Sequence, residues 1–113
     1  MDYAQRLRLL ALNDASLAED HPGVLGAGSP VLDAKTLALV RLAALVGVGG
    51  AVPSYSALVD AAIGHGATVA EIVDVLVDVI TVVGLPRVVA EAPKLALAVG
   101  YDTDEAFEAR SGP

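Results

Sequence analysis

Three hydroxyl-bearing side chains follow one another at Ser54, Tyr55 and Ser56 in an otherwise apolar part of the chain. Adjacent hydroxyl groups can orient a ligand, and Tyr55 could donate a hydrogen bond or act as a weak acid. A structural interpretation is also open. In that case Ser54 and Ser56 would bind the free amides at a helix N-terminus, and Tyr55 would pack at a contact between subunits.

Asp60 and His65 are the candidate acid–base groups that follow this cluster. Asp60 comes one helical turn after Ser56 and could orient a base, or it could be solvated or paired across subunits. His65 directly precedes a glycine that is expected to end a helix. A favourable contact with the helix C-terminal dipole is therefore the alternative to a catalytic role. His21 lies in a Pro-Gly turn, where we expect it to be exposed.

Arg41 is the one charged side chain in the middle of a long apolar segment. An unpaired charge in a protein interior costs roughly 3–5 kcal/mol, so this arginine should find a carboxylate in the same or a neighbouring subunit. Alternatively, Arg41 or Arg87 could bind the carboxylate of a small acid in a pocket. The available carboxylate partners are Glu71, Asp74, Asp78 and Glu91.

Glu71, Asp74 and Asp78 fall on one stripe of a predicted helix, at a spacing that only loosely resembles a metal site. Because no histidine accompanies them, we expect a solvated face and no metal. The chain has no cysteine, which excludes disulfides, thiolate metal sites and every mechanism that uses a thiol. No cofactor is predicted.

Long helices should position these residues. Asp33 is suited to capping a helix over residues 34–48, which is apolar nearly all round and should therefore be buried on every side. Pro53 suits the start of the next helix, which should reach about His65 before Gly66 ends it. A helix is also predicted over residues 2–13 and a short turn over 16–20, and residues 102–110 should either form a short acidic helix or fray.

The second half of the chain contains a capping box, Thr68-Val69-Ala70-Glu71, which should open a helix reaching residue 83. Gly84-Leu85-Pro86 should open another helix, in which Pro93 is expected to produce a break or a kink. The segment lengths and the caps favour helices over strands, despite many Val and Ile residues. We therefore predict an all-α bundle of about six helices. Its parts are an N-terminal arm and Gly/Pro loop (residues 1–31), a core (32–100) and an acidic tail (101–113).

The composition predicts self-association. Of the 113 residues, 55% are hydrophobic and 19% are charged, more apolar and less charged than an ordinary domain. A chain of this size has too little interior for so many aliphatic side chains, so surplus apolar faces should meet in a homo-oligomer. The net charge of −7 disfavours nucleic acid and anionic membranes. Without a basic leader or a spanning segment, the chain is expected to be cytoplasmic.

The order of the segments resembles the carboxymuconolactone decarboxylase family. Four pieces at the family's spacing carry the resemblance, which covers about residues 32–100: Leu32-Asp33-Ala34-Lys35-Thr36 with Leu39-Val40 and Leu42-Ala43; Gly66-Ala67-Thr68; Glu71-Ile72 with Val75-Leu76; and Gly84 with Pro86. The resemblance implies an alkyl hydroperoxidase D-like helical fold, homo-trimers or homo-hexamers, and pockets beside subunit contacts. It places the hydroxyl cluster next to such a pocket.

The working residues of that family are missing from this chain. The peroxidase branch carries the motif C-x-x-C-x-x-x-H, whose positions fall on Ala51, Ser54 and Leu58. The decarboxylating branch has a Glu four residues before the same His, which again falls on Ser54. A thiol peroxidase is therefore excluded, because Ser54 cannot form a sulfenate and Leu58 cannot transfer a proton.

Two classes of function remain, and whether the chain is an enzyme is left open. In the first, a family member of unassigned chemistry binds or converts a small apolar or aromatic acid or lactone. Its inter-helix pocket would be lined by Ser54, Tyr55 and Leu58, with Arg41 or Arg87. In the second, the active site is degenerate, and the chain is a catalytically silent module for oligomeric assembly or partner binding.

Overall fold

The long apolar segments of the chain fold as helices. In a computed structural model of the protein, residues 2–12 and 31–100 are described, and this part contains helices and no strand. The predicted all-α class is confirmed. The valine-rich segments are helical because their apolar residues recur every three to four positions and bury one side, whereas a strand would need strict alternation.

The chain separates into two units, residues 1–32 and 33–113, and each is described by itself. In the first unit, α1 spans Tyr3–Ala11. Asp2 is its N-cap residue, and the Asp2 carboxylate accepts a hydrogen bond of 2.7 Å from the amide of Gln5. The helix predicted over residues 2–13 is therefore present, with slightly shorter bounds.

The second unit begins with two helices that end at the predicted residues. α2 spans Ala34–Val48, and its N-cap Asp33 accepts a hydrogen bond of 2.7 Å from the amide of Thr36. Gly49 ends α2 with φ 84° and ψ 142°, a conformation that essentially only glycine adopts. α3 spans Val52–Gly64 with a proline in its first turn.

The helix predicted from the capping box to residue 83 is divided in two. α4 spans Val69–Asp78, and the capping box of Thr68 and Glu71 is confirmed. α5 is a single turn, Ile80–Val83. A run of β-branched residues weakens the helix there, and the Thr81 hydroxyl donates a hydrogen bond to the carbonyl of Asp78.

α6 spans Leu85–Ala98 and continues through Pro93. Of the predicted break or kink at Pro93, the break is not found. Proline removes one amide and leaves the carbonyl of Val89 without its helical donor. Pro93 and Val89 both lie on the exposed side of α6, where water can bind that carbonyl, so the loss is tolerated.

The core of the second unit lies where α3 packs against α2 and α6, with α4 against α2. Its fully buried side chains are Leu42, Val46, Tyr55, Val59 and Ile72. The expectation that α2 is buried on every side is wrong for the single subunit, because Val40, Arg41, Ala44 and Val48 are exposed. Although α2 contacts α3, α4 and α6, a bundle of this size leaves one side of the helix facing outwards.

Several predictions fall outside the described residues: His21, the Gly/Pro loop, the short turn over 16–20 and the acidic helix or frayed end over 102–110. The total of about six helices and the oligomeric state stay predictions. Within residues 2–12 and 31–100, no helix combines the length and the apolar character needed to span a membrane.

Candidate functional site

Glu91 is the centre of the largest hydrogen-bonded polar group in the described part of the second unit. It is 3% exposed, and it is the one buried charged residue in the described part of the chain. Its Oε1 accepts hydrogen bonds from the amide of Gly50 at 2.8 Å and from the hydroxyl of Tyr55 at 2.9 Å. Its Oε2 accepts one from Nζ of Lys94 at 2.8 Å. We call Gly50, Tyr55, Glu91 and Lys94 the Glu91 cluster.

The cluster joins α6 to the connection between α2 and α3. α3 begins after Ala51, which has no side chain that could cap the helix, so the positive end of the helix dipole has no local anion. Glu91 supplies a carboxylate there from another helix. Lys94 strengthens the connection, because its Nζ also donates to the carbonyl of Gly50 at 2.8 Å.

The two titratable groups at the centre of the cluster have shifted pKa values in opposite directions. The hydrogen bond from Lys94, followed by that from the Gly50 amide, lowers the pKa of Glu91 to about 2. Burial, followed by the hydrogen bond to Glu91, raises the pKa of Tyr55 well above its usual range. At neutral pH Glu91 is therefore ionised and Tyr55 is neutral.

These shifts disfavour acid–base chemistry at the cluster. A general base or acid works best with a pKa near the operating pH, and neither group has one. Both carboxylate oxygens already accept hydrogen bonds, and the Tyr55 side chain is fully buried. The arrangement is suited to fixing the α2–α3 connection against α6.

Tyr55 was predicted from the sequence as a candidate site residue, whereas Glu91 was predicted only as a possible partner of Arg41. A signal for Glu91 exists, because it shares the buried stripe of α6 with Val88 and Leu95. A carboxylate at a core position of an amphipathic helix needs a buried partner. Lys94 was not singled out, although it lies three residues after Glu91, at a spacing that brings helical side chains together.

The other residues of the hydroxyl cluster do not share the site of Tyr55. Ser54 is exposed and Ser56 is half-buried. No side chain caps α3, so the expectation that these serines bind its N-terminal amides is wrong. The expectation that Tyr55 packs at a subunit contact is also wrong, because Tyr55 lies inside the core of its own unit. Leu58 is partly buried against the same core.

Asp60 and His65 are not brought together with Tyr55 into one constellation. Asp60 is exposed on α3, and His65 is the C-cap residue of that helix, as its position before Gly66 predicted. Ten residues of helix separate His65 from Tyr55, which is about 15 Å along the axis. The candidate base and the candidate acid therefore lie at opposite ends of α3.

The two candidate arginines occupy different helices. Arg41 is exposed on α2 and makes no ion pair with any residue that the structure describes, so the carboxylate expected within its own subunit is not found. Arg87 is exposed on α6, one turn before Glu91. Nη1 of Arg87 lies 3.0 Å from the position that a Cβ on Gly49 would take. Of the two arginines, Arg87 is therefore the one that lies beside the α2–α3 connection.

The acidic stripe of α4 includes one ion pair. Glu71 binds Lys35 at 2.8 Å, and this contact lowers the pKa of Glu71 and raises that of Lys35. Asp74 and Asp78 are exposed and, within the described residues, make no ion pair. No group of three or more potential metal ligands occurs in residues 2–12 and 31–100.

Two apolar grooves flank α4. The α2–α4 groove has a volume of about 250 Å³ and is lined by Thr36, Leu39, Val40, Ala43, Val75, Asp78 and Val79. The α4–α6 groove has a volume of about 290 Å³ and is lined by Val69, Val73, Leu76, Ala92, Leu95, Ala96 and Val99. The second groove is entirely aliphatic, so it can hold an apolar group but offers no side-chain hydrogen bond to orient it.

In comparisons with known proteins, no family model, no curated protein and no solved structure matches this chain. The resemblance to the carboxymuconolactone decarboxylase family therefore stays a hypothesis that rests on the residues quoted above.

Proposed function

We propose that the chain is an assembly module, in which the second unit associates with further copies of itself through its aliphatic surface. The observation that carries the proposal is the number of large aliphatic side chains left exposed: Val40, Val48, Ile63, Val69, Val73, Val77, Val82, Leu85, Val89 and Leu97. Single exposed aliphatic residues are ordinary on a monomer, but contiguous apolar surface marks an interaction site.

The exposed residues of α4 supply that continuity. Val69, Val73 and Val77 follow one another at intervals of four residues, so they form one stripe along the helix. Two of them, Val69 and Val73, also line the α4–α6 groove. Covering this stripe removes apolar surface from water, which favours association by roughly 25 cal/mol per Å² before the cost of ordering is subtracted.

The candidate catalytic groups support assembly over a reaction. Tyr55 is fully buried and hydrogen-bonded to Glu91, and His65 lies at the other end of α3. A nucleophile or acid needs a base within hydrogen-bonding reach and a path for the substrate. The resemblance implies a trimer or a hexamer for the assembly.

The mass of the protein in solution tests this proposal. We expect light scattering after size-exclusion chromatography to give a multiple of the 11.4 kDa chain mass, and we expect this multiple to persist on dilution. A single mass of one chain over the whole concentration range, with the helical circular dichroism intact, would contradict self-association.

A second candidate is the binding of a small neutral lactone or aromatic compound in the α4–α6 groove. The aliphatic lining and the volume of about 290 Å³ favour it, since that volume is near the lower limit of small-molecule sites. No Arg or Lys lines this groove, so a charged acid fits less well than a neutral compound.

Ligand binding predicts a rise in melting temperature. We expect a panel of neutral lactones and aromatic compounds to include one that stabilises the wild-type protein, because a ligand that binds only the native state raises its stability. Val73→Asp should abolish this shift by placing a charge in the groove, whereas Ile63→Asp, at an exposed position outside the groove, should retain it. A shift that survives Val73→Asp places the ligand elsewhere.

A further inference from the structure

Arg41 and Asp78 are charged side chains without partners on the side of the unit formed by α2 and α4. Both are exposed, and neither side chain makes an ion pair or a hydrogen bond with any residue in the described part of the chain. Asp78 lines the α2–α4 groove. Leu39 and Ala43 line the groove, and Arg41 is two residues from each of them. Two residues turn a helix by about 200°, so Arg41 lies on nearly the opposite side of α2 from these two side chains.

The two charges lie at a similar level along the helices, because Asp78 lines the same groove as Val40 and Ala43, which lie on either side of Arg41 in the sequence. Lys35 and Glu71 are both in the first turns of their helices and bind each other at 2.8 Å, so α2 and α4 start at the same end of the unit. Arg41 follows Lys35 by about 9 Å of helix, and Asp78 follows Glu71 by about 10.5 Å. A positive charge and a negative charge therefore flank the same part of this surface.

An apolar strip separates the two charges. Val40, which forms the rim of the groove, and Ala44 are exposed on α2 between the groove and Arg41, and Val48 is exposed two turns further along on the same side as Arg41. We define the α2 face as Arg41, Asp78 and this strip. The order across the α2 face is cation, aliphatic strip, groove and carboxylate.

This order makes the α2 face complementary to itself. Rotation by 180° about an axis in the interface and parallel to α2 exchanges the two flanks, so the cation of one copy meets the carboxylate of the other. An axis perpendicular to α2 would instead oppose like charges. We infer that a second copy of this chain docks on the α2 face across a two-fold axis parallel to α2, with Arg41 of each copy binding Asp78 of the other.

The α2 face carries one cation and one carboxylate, so a second copy of the chain can pair both charges. The chain carries a net charge of −7, so contacts between copies are opposed by repulsion unless the interface pairs its own charges. A reciprocal contact pairs both cations with both carboxylates. The inference rests on the proposed self-association and adds to it the face, the residues and a two-fold contact, which a hexamer built from two trimers contains and a single trimer does not.

Charge reversal tests the docking. We expect Arg41→Asp and Asp78→Arg each to raise the dissociation constant in sedimentation equilibrium by about tenfold or more, because the symmetry places each change at two contacts. The double variant Arg41→Asp with Asp78→Arg should return to within about threefold of the wild type, since it restores opposite charges. Arg8→Asp and Asp60→Arg, also exposed reversals, should leave association unchanged.

The outcomes separate the docking from self-association in general. If the wild-type protein associates and the single reversals have no effect, or if the double variant stays dissociated, the docking on the α2 face is wrong and self-association stands. If the wild-type protein is a monomer, both are wrong. Arg41→Gln and Asp78→Asn replace any reversal variant that fails to fold, and we expect them to weaken association by a smaller factor.

Discussion

At the scale of single residues, Tyr55 and Glu91 show how burial decides what a polar group can do. The Tyr55 hydroxyl is the sort of group that could donate to a ligand, but it donates at 2.9 Å to a buried carboxylate of its own unit. Glu91 in turn accepts three hydrogen bonds, which offset part of the free-energy cost of burying its charge. The pair therefore contributes to the stability of the fold and is not free to react.

The lowered pKa of Glu91 predicts a pH-dependent contribution to stability. A carboxylate with a pKa of about 2 in the folded protein and 4.5 as its ordinary value stabilises the fold fully above pH 4.5. This stabilisation is lost as the pH falls from 4.5 towards 2. We expect Glu91→Gln to lower the free energy of unfolding by about 2 kcal/mol at pH 7, because the negative charge is removed and Lys94 loses its carboxylate acceptor.

The measurement is urea unfolding of both proteins between pH 7 and pH 3. The difference between wild type and Glu91→Gln should shrink as the pH falls, while contributions from other carboxylates with lowered pKa values, such as Glu71 and Asp33, cancel in the difference. Asp60→Asn, a change at an exposed carboxylate, should show no such trend. A difference that is constant with pH contradicts the assignment.

At the scale of secondary structure elements, Gly49 is the residue that allows α2 to end and the chain to enter α3. Its φ of 84° and ψ of 142° lie in a region that side chains rarely occupy, and a Cβ there would be 3.0 Å from Nη1 of Arg87. We expect Gly49→Ala to lower the free energy of unfolding by about 1–3 kcal/mol. Chemical denaturation measures the change.

Gly64 provides the matched control for this prediction. It is the last residue of α3, its φ is not positive, and no other group lies within 4 Å of an added Cβ. Gly64→Ala should therefore be neutral or slightly stabilising, because alanine reduces the freedom of the unfolded chain. Equal effects of the two substitutions would show that the backbone conformation of Gly49 carries no special cost.

The helices themselves were predictable because their signals are local. Asp33, the capping box of Thr68 and Glu71, and the stop glycines each act within a few residues, so α2 and the start of α4 were located closely. The interruption at Val79 and the continuity through Pro93 were not predicted. Both depend on balances between propensity, hydrogen bonding and packing that local pattern does not determine.

The Glu91 cluster was missed for a different reason. Its members come from three segments, and the hydrogen bonds of Gly50 to Glu91 and Lys94 span 41 and 44 residues of sequence. No local sequence pattern predicts which carboxylate will lie beside the N-terminus of a helix that has no capping side chain. The same limit applies to Arg41, whose apolar sequence neighbours suggested an interior position although its side of the helix faces outwards.

At the scale of the whole molecule, composition was more informative than local sequence pattern. An apolar fraction of 55% predicted surplus aliphatic surface, and residues 33–100 of the second unit expose ten large aliphatic side chains. Composition does not say which of these surfaces are used. The relative positions of the helices are needed for that. An example is the ion pair of Lys35 and Glu71, which joins the N-terminal ends of α2 and α4.

The long sequence separation of the Glu91 cluster also affects the order in which the chain can become stable during synthesis. The α2–α3 hairpin leaves the ribosome some forty residues before the carboxylate and the ammonium group that hold its connection. Until α6 emerges, the Gly50 amide and the Gly50 carbonyl have only solvent to bind. The connection of the nascent hairpin is therefore incomplete until α6 has been made.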